Sequence, residues 1–274
     1  MKNLLTLSVI VPSIRTENWT NIYKSILENI KNYSFEVIFI GPDINLPDNL
    51  KQFKNIKCIR DFGCPSRAMQ MGCVLAEGKY LSWACDDGVF VDFEISKILD
   101  ELEKSNNEKI WYNWIYTEGP GYLYGADMRI SNPHQWYKAK FHDNQKNMNG
   151  IDDSWYMTLL FTINSDYFRK MGGINCQYEA INYNLHDLGY RMTRDGAEMR
   201  FTNNCVFRLS WQQEGQNNRT IHTCPVLNAT HLNDEPLLEN MYGQPKELPI
   251  KINLDNWRDS DIIWIRKWAQ KHIN

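Results

Sequence analysis

Between Leu5 and Tyr116 the apolar positions follow two rhythms. Short unbroken runs suit strands buried on both faces, and runs spaced at three and four residues suit one face of a helix. Leu5 to Val11 is a strand run closed by Pro12, and Ile22, Ile26, Leu27 and Ile30 follow at helical spacing. Phe35 to Gly41 predicts a second strand, ended by the turn signal Gly41-Pro42-Asp43. A short strand is expected around Lys57 to Arg60, and a helix through Ala68, Met71, Leu75 and Ala76. Tyr80 to Cys85 then reads as strand, Ile95, Ile98, Leu99 and Leu102 as helix, and Lys109 to Tyr116 as strand. This βα order predicts an α/β fold: a mostly parallel, twisted sheet flanked by helices.

After Thr117 the rhythm is lost. Glu118 to Gly150 is polar and aromatic without a sustained period, the character of a functional or mobile segment. Ser154 to Ile163 is expected as a strand and Asp166 to Met171 as a short helix stopped at Gly172-Gly173. Leu185 to Thr193 is expected as a helix stopped at Gly196, and Glu198 to Leu209 as a final strand. Ser260 to His272 predicts a C-terminal helix with Ile262, Ile265, Trp268 and Ala269 on one side. The expected division is a domain over 1–209 and an extension over 210–274 packed on it. Within the domain, 1–116 is a nucleotide-binding half and 117–209 an acceptor-side half.

Composition narrows the classes. With 274 residues, 43% of them hydrophobic, the chain can bury a large core. A net charge of -3 argues against a general nucleic-acid binder. Seven cysteines without a Cys-x-x-Cys pair suggest neither a disulfide framework nor a four-thiolate zinc site, and reduced thiols in a cytoplasmic protein are the simpler reading. The N-terminal apolar run lacks a small-residue cleavage site and reads as a first strand, and no run is long enough for an ordinary membrane span.

The chemistry concentrates at Tyr80-Leu-Ser-Trp-Ala-Cys-Asp-Asp-Gly88, a strand that ends on two carboxylates. In α/β sheets ligands gather at the carboxyl ends of the strands, and Mg²⁺ is held by one or two carboxylates plus phosphate oxygens. Asp86 and Asp87 therefore point to a cation bridging to a nucleoside diphosphate. Asp-Asp-Gly is also ordinary turn chemistry.

The motifs taken in order carry a resemblance. Ser8-Val-Ile-Val-Pro12, Phe35-Glu-Val-Ile-Phe-Ile40, Ser66-Arg67 leading to Ala76-Glu-Gly-Lys-Tyr80, Asp86-Asp87, Met171-Gly-Gly173 and His186-Asp187-Leu-Gly-Tyr-Arg191 resemble the family 2 glycosyltransferases of the GT-A fold, from about Leu5 to about Phe207. The resemblance implies an inverting transfer of one sugar from a nucleotide-diphosphate sugar, a UDP-sugar by preference, with Mn²⁺ or Mg²⁺. It implies a glycan or lipid-linked glycan as acceptor. Pro12, Ser13, Arg15, Asp43, Arg67 and Asp86 are then donor-binding, Asp86 and Asp87 hold the metal, and Asp187 is the catalytic base. His222 and His231 are candidates to complete the metal shell.

Each residue also fits a plainer role. Arg67 suits an exposed helix start, Asp187 a first-turn acid favoured by the helix dipole, and Gly172-Gly173 a helix stop. Trp111, Trp114, Trp155 and His186 are the expected sugar wall, since flat rings cover the apolar faces of pyranoses; strand alternation aims Trp111 and Trp114 at opposite faces, so at least one residue of this strand is expected in the core. Trp264 and Trp268 suit either a membrane surface near a lipid-linked acceptor or packing on the main domain.

The chain departs from the family in two places. Gly41-Pro42-Asp43 replaces the usual Asp-Asp-Gly-Ser turn, and His186 replaces a glutamate. These departures keep a catalytically silent carbohydrate-binding relative in play. A nucleotidyltransferase, the other rival, should carry a glycine-rich phosphate loop after the first strand, where this chain has Ser13-Ile-Arg-Thr16.

Overall fold

The computed structural model describes residues 5–118, 138–139, 154–179, 181–209, 230–242 and 251–258. Leu7–Pro12 forms β1 and Phe35–Gly41 forms β2, the latter buried at every position, including Glu36, whose carboxylate is met by Ser8 Oγ and Lys57 Nζ. Between them α1, Trp19–Asn29, buries Trp19, Ile22, Tyr23 and Ile26 at helical spacing. β3 is Ile56–Arg60, and α2, Pro65–Leu75, opens on a proline, whose missing N–H is harmless in a first turn. β4 is Tyr80–Trp83, β5 Gly88–Phe90, α3 Glu94–Lys104 and β6 Ile110–Glu118. β7 is Lys138–Ala139, β8 Trp155–Tyr156, β9 Phe161–Asn164 and α4 Ser165–Lys170. α5 is Ile181–Arg194, β10 Glu198–Leu209 and α6 Glu235–Tyr242.

Eight strands make the main sheet, in the order β3-β2-β1-β4-β9-β6-β10-β5. β1, β2, β3 and β4 pair in parallel, as do β6 and β10. β9 runs antiparallel between β4 and β6, and β5 antiparallel at the edge.

One expected strand is corrected. Ser154 to Ile163 is two strands: β8 pairs with β7 in a separate ladder, and β9 joins the main sheet. The break lies at Thr158, whose N–H and hydroxyl both donate to the Leu185 carbonyl of α5, at 3.2 and 2.9 Å. That contact pulls the chain out of line between the two apolar runs. β5, three residues long, is too short to leave a period in the sequence.

The order β3-β2-β1 followed by β4 makes β1 the point where the winding reverses, and a crevice opens there beyond the carboxyl ends of the strands. Ile10 lies level with Trp83 on β4, so three residues further Ser13 comes level with Asp86. On the other side Pro12 lies level with Ile40 of β2, and the Ser13 N–H donates to the Ile40 carbonyl at 2.8 Å. Gly41 is needed here, because a Cβ on it would fall 1.8 Å from the Ser13 carbonyl oxygen.

The stretch 251–258 lies across α2 and the turn after α4. The Ile252 N–H donates to the Met171 carbonyl at 3.3 Å, and Gln70 Nε2 donates to the Leu254 carbonyl at 2.8 Å. The expected helix Ser260 to His272, with Trp264 and Trp268, lies outside the described residues. Among the described residues no helix is long and apolar enough to cross a membrane.

Candidate active site

At the crevice, Asp86 organises the loop that follows β1. Its Oδ2 accepts from Ser13 Oγ, the Ile14 N–H and the Arg15 N–H, each at 2.9 Å. Its Oδ1 receives Arg15 Nη1. Ser13 Oγ in turn accepts from Trp19 Nε1 at 2.6 Å, so the start of α1 locks the same loop. Only 4% of Asp86 is exposed, and a carboxylate so buried is stable only because these donors and the guanidinium answer its charge. The structure thus brings together Pro12, Ser13, Arg15 and Asp86, four residues from two adjoining strand ends.

Asp87 stands beside them with its side chain 31% exposed, and Arg15 Nη1 lies 3.9 Å from its Oδ2. Among the described residues no three His, Cys, Asp or Glu side chains converge as metal ligands. Asp86 Oδ2 is saturated by three donors. Asp87 is the more exposed of the two acids, and a single carboxylate can hold a divalent cation when phosphate oxygens and water complete its shell. His222 and the side chain of His231 lie outside the described residues.

Asp43 is held in a local contact, and Arg67 is held by Asp61 nearby and by Trp257 from far along the chain. Asp43 Oδ1 accepts from the Asn45 N–H at 2.9 Å and Asn45 Nδ2 at 2.7 Å, folding the Gly41-Pro42-Asp43 loop back on itself. Arg67 Nε donates to Asp61 at 3.0 Å, its Nη1 donates to the Trp257 carbonyl at 2.7 Å, and its guanidinium stacks over the Trp257 ring. The motif reading missed Asp61, although it closes β3 at a strand end and could have been found by the rule that found Asp86.

Asp187 lies on α5 with no exposed surface. Arg191, one turn on, donates to its Oδ2 from Nε at 2.9 Å and Nη2 at 2.7 Å. The same guanidinium reaches the Met171 carbonyl at 2.8 Å and the Gly173 carbonyl at 2.6 Å, tying the turn after α4 to α5. Gly172 and Gly173 make that turn with φ of 86° and 69°. Oδ1 accepts from the Tyr242 hydroxyl of α6. Burial, and then the charge of Asp187, push the Tyr242 phenol upward, so it stays protonated and donates. Leu238, Met241 and Tyr242 stand at helical spacing, but that period gives no sign that Tyr242 reaches a carboxylate on α5.

The expected aromatic wall is corrected. Trp111, Trp114 and Trp155 are 1%, 0% and 3% exposed, and a ring enclosed on both faces offers none to a sugar. Trp114 packs on Phe90 and Phe207 and donates from Nε1 to Thr162 Oγ1 at 2.8 Å. Trp155 belongs to a second cluster with Tyr178, Leu238 and Tyr242, edge-on to Tyr190 and His186. His186 keeps part of its surface; its Nδ1 accepts from Trp155 Nε1 at 3.3 Å, and burial lowers its pKa to about 4.

No family model matches the sequence, and no curated protein matches it. Solved structures do match the fold. A structure of GalNAc-T7 with UDP, GalNAc and Mn²⁺ aligns over all of this chain with a TM-score of 0.56 and 14% identity. The chain spans 57% of that protein's length. The 1–349 structure of S. aureus TarS aligns over 86% of this chain and 68% of its own, with a TM-score of 0.51 and 12% identity. The catalytic domain of Drosophila beta1,4galactosyltransferase 7, in complex with xylobiose, aligns over 92% of this chain and 84% of its own, with a TM-score of 0.50 and 12% identity. The fold is therefore that of the GT-A nucleotide-sugar transferases, as the order of motifs implies.

Proposed function

We propose that this chain transfers a sugar from a nucleoside-diphosphate sugar to an acceptor hydroxyl, with inversion, by direct displacement. One observation carries the reading: on a GT-A fold, the Ser13–Arg15 loop and the Asp86-Asp87 pair meet at the carboxyl ends of β1 and β4, at the reversal of strand order. A departing diphosphate gathers negative charge, and a guanidinium fork beside it stabilises that charge. Asp87 would hold Mn²⁺ or Mg²⁺, which when bound neutralises the same leaving group. UDP is the proposed nucleotide, since the GalNAc-T7 structure of this fold contains UDP and Mn²⁺. A glycan or lipid-linked glycan is the proposed acceptor, by analogy of fold.

The acceptor hydroxyl must lose its proton as it attacks, and Asp187 is the carboxylate proposed to take it. In the arrangement described, Asp187 is buried and engaged by Arg191 and Tyr242, so the base role requires that its Oδ1 exchange the Tyr242 hydroxyl for that of the acceptor. That burial also favours a second reading, a binder of nucleotide sugars without transfer.

A thermal-shift screen of UDP-, GDP- and dTDP-sugars, with and without Mn²⁺, tests the first step. A donor at 100 times its dissociation constant stabilises the fold by about 2.7 kcal/mol. We expect one nucleotide class to do so, and Asp87→Ala to lose the Mn²⁺-dependent part of the shift. Release of nucleoside diphosphate in the presence of acceptor then separates transferase from silent binder. No shift with any donor would overturn both readings.

A further inference from the structure

We infer that Arg15 is the resident counter-ion of the Asp86–Asp87 pair, and that it keeps free divalent cations out of the crevice until a diphosphate draws it away. The inference deepens the proposed function at the same site, yet its central claim concerns the metal alone.

Arg15 is 7% exposed, and its Nη1 contacts Asp86 Oδ1 while lying 3.9 Å from Asp87 Oδ2. The three groups together carry one net negative charge in place of two. A cation seated on Asp87 would stand within a few ångströms of the Arg15 guanidinium, and like charges at such range repel strongly in a partly dry site. Asp86 offers no alternative seat. Its Oδ2 already accepts three hydrogen bonds, and Oδ1 is where the guanidinium rests. The donor set is thus incomplete for a metal while Arg15 is in place.

A diphosphate changes the balance. Its oxygens match the planar fork of a guanidinium better than one carboxylate oxygen does, and they also supply ligands to a cation. Movement of Arg15 toward the phosphates frees Asp86 Oδ1, and cation and diphosphate then enter together. Without the guanidinium the loop keeps part of its support, because Asp86 still accepts from Ser13 Oγ and the backbone N–H groups of Ile14 and Arg15.

The test is Mn²⁺ binding to the full chain, followed by electron paramagnetic resonance of free Mn²⁺. Wild type should bind Mn²⁺ no tighter than roughly millimolar without a diphosphate. Arg15→Gln and Arg15→Met should each bind it at least about tenfold tighter, and Arg15→Lys, which keeps the charge, should stay near wild type. A gain confined to the two neutral variants reports charge, since loss of packing would affect all three. Equal affinity in wild type and the neutral variants would overturn the inference. If neither neutral variant folds, micromolar binding of Mn²⁺ by wild type alone would do the same. Failure to bind any nucleotide sugar, by contrast, would count against the proposed function and leave this result standing.

Discussion

A carboxylate with no contact to water is stable only where its charge is matched, and Asp187 is matched by Arg191 on one oxygen and Tyr242 on the other. Asp187→Asn removes that charge and leaves the Arg191 guanidinium, itself fully buried, without its counter-ion. We expect a loss of about 3 to 5 kcal/mol in urea denaturation. Tyr242→Phe leaves Oδ1 of the buried carboxylate without that donor and should lose about 1.5 to 3 kcal/mol. Unchanged stability in Asp187→Asn would remove the anchoring role.

His186 gives a pH signature. Burial lowers its pKa from 6.5 to about 4, so the unfolded chain binds the proton more readily between those values. The neutral imidazole therefore contributes stability that is present above about pH 6.5 and is lost as the pH falls through about 4. Chemical denaturation of wild type and His186→Gln across that window should show wild type falling more steeply, by about 3 kcal/mol at most. Parallel curves would mean that the ring is more solvated than its contacts imply. At this scale the sequence was informative where chemistry and strand end coincide, as at Asp86, and silent where a partner comes from a distant segment, as with Tyr242.

Elements place these residues, and the clearest case is the approach of β1 to β2. Gly41→Ala would drive a Cβ to 1.8 Å from a backbone oxygen, which no side-chain rotamer can relieve. We expect destabilisation of about 2 kcal/mol or more, read by denaturation, and weaker binding of any ligand that rests on the Ser13 loop. Most elements were legible from spacing alone. β2 and β10 match their expected ranges, and Gly172-Gly173 and Gly196 follow α4 and α5 with positive φ, as their place in the pattern implies. The expected strand Ser154 to Ile163 was misread because periodicity counts only neighbours along the chain. Its break is made by a hydrogen bond to α5. Trp111 and Trp114 were misread for a related reason. Strand alternation assigns opposite faces but does not say that both faces are covered, and here both rings are buried.

For the molecule as a whole, the reversal of strand order beside β1 gathers five functional candidates, Pro12, Ser13, Arg15, Asp86 and Asp87, from two strand ends, while Arg67, Asp43 and Asp187 are engaged elsewhere. The sequence by itself determined the βα succession, the strand-end position of Asp86-Asp87 and the order of motifs that marks a GT-A fold. Each of these follows from local spacing, since burial on one or two faces imposes a period on nearby residues. Only the tertiary structure decided that Arg15 lies against both acids, that Asp187 is sealed under Tyr242 and that three tryptophans are core. Those outcomes depend on the register of β1 against β4 and on which segments cover each surface, contacts between residues far apart in the chain that no local period records.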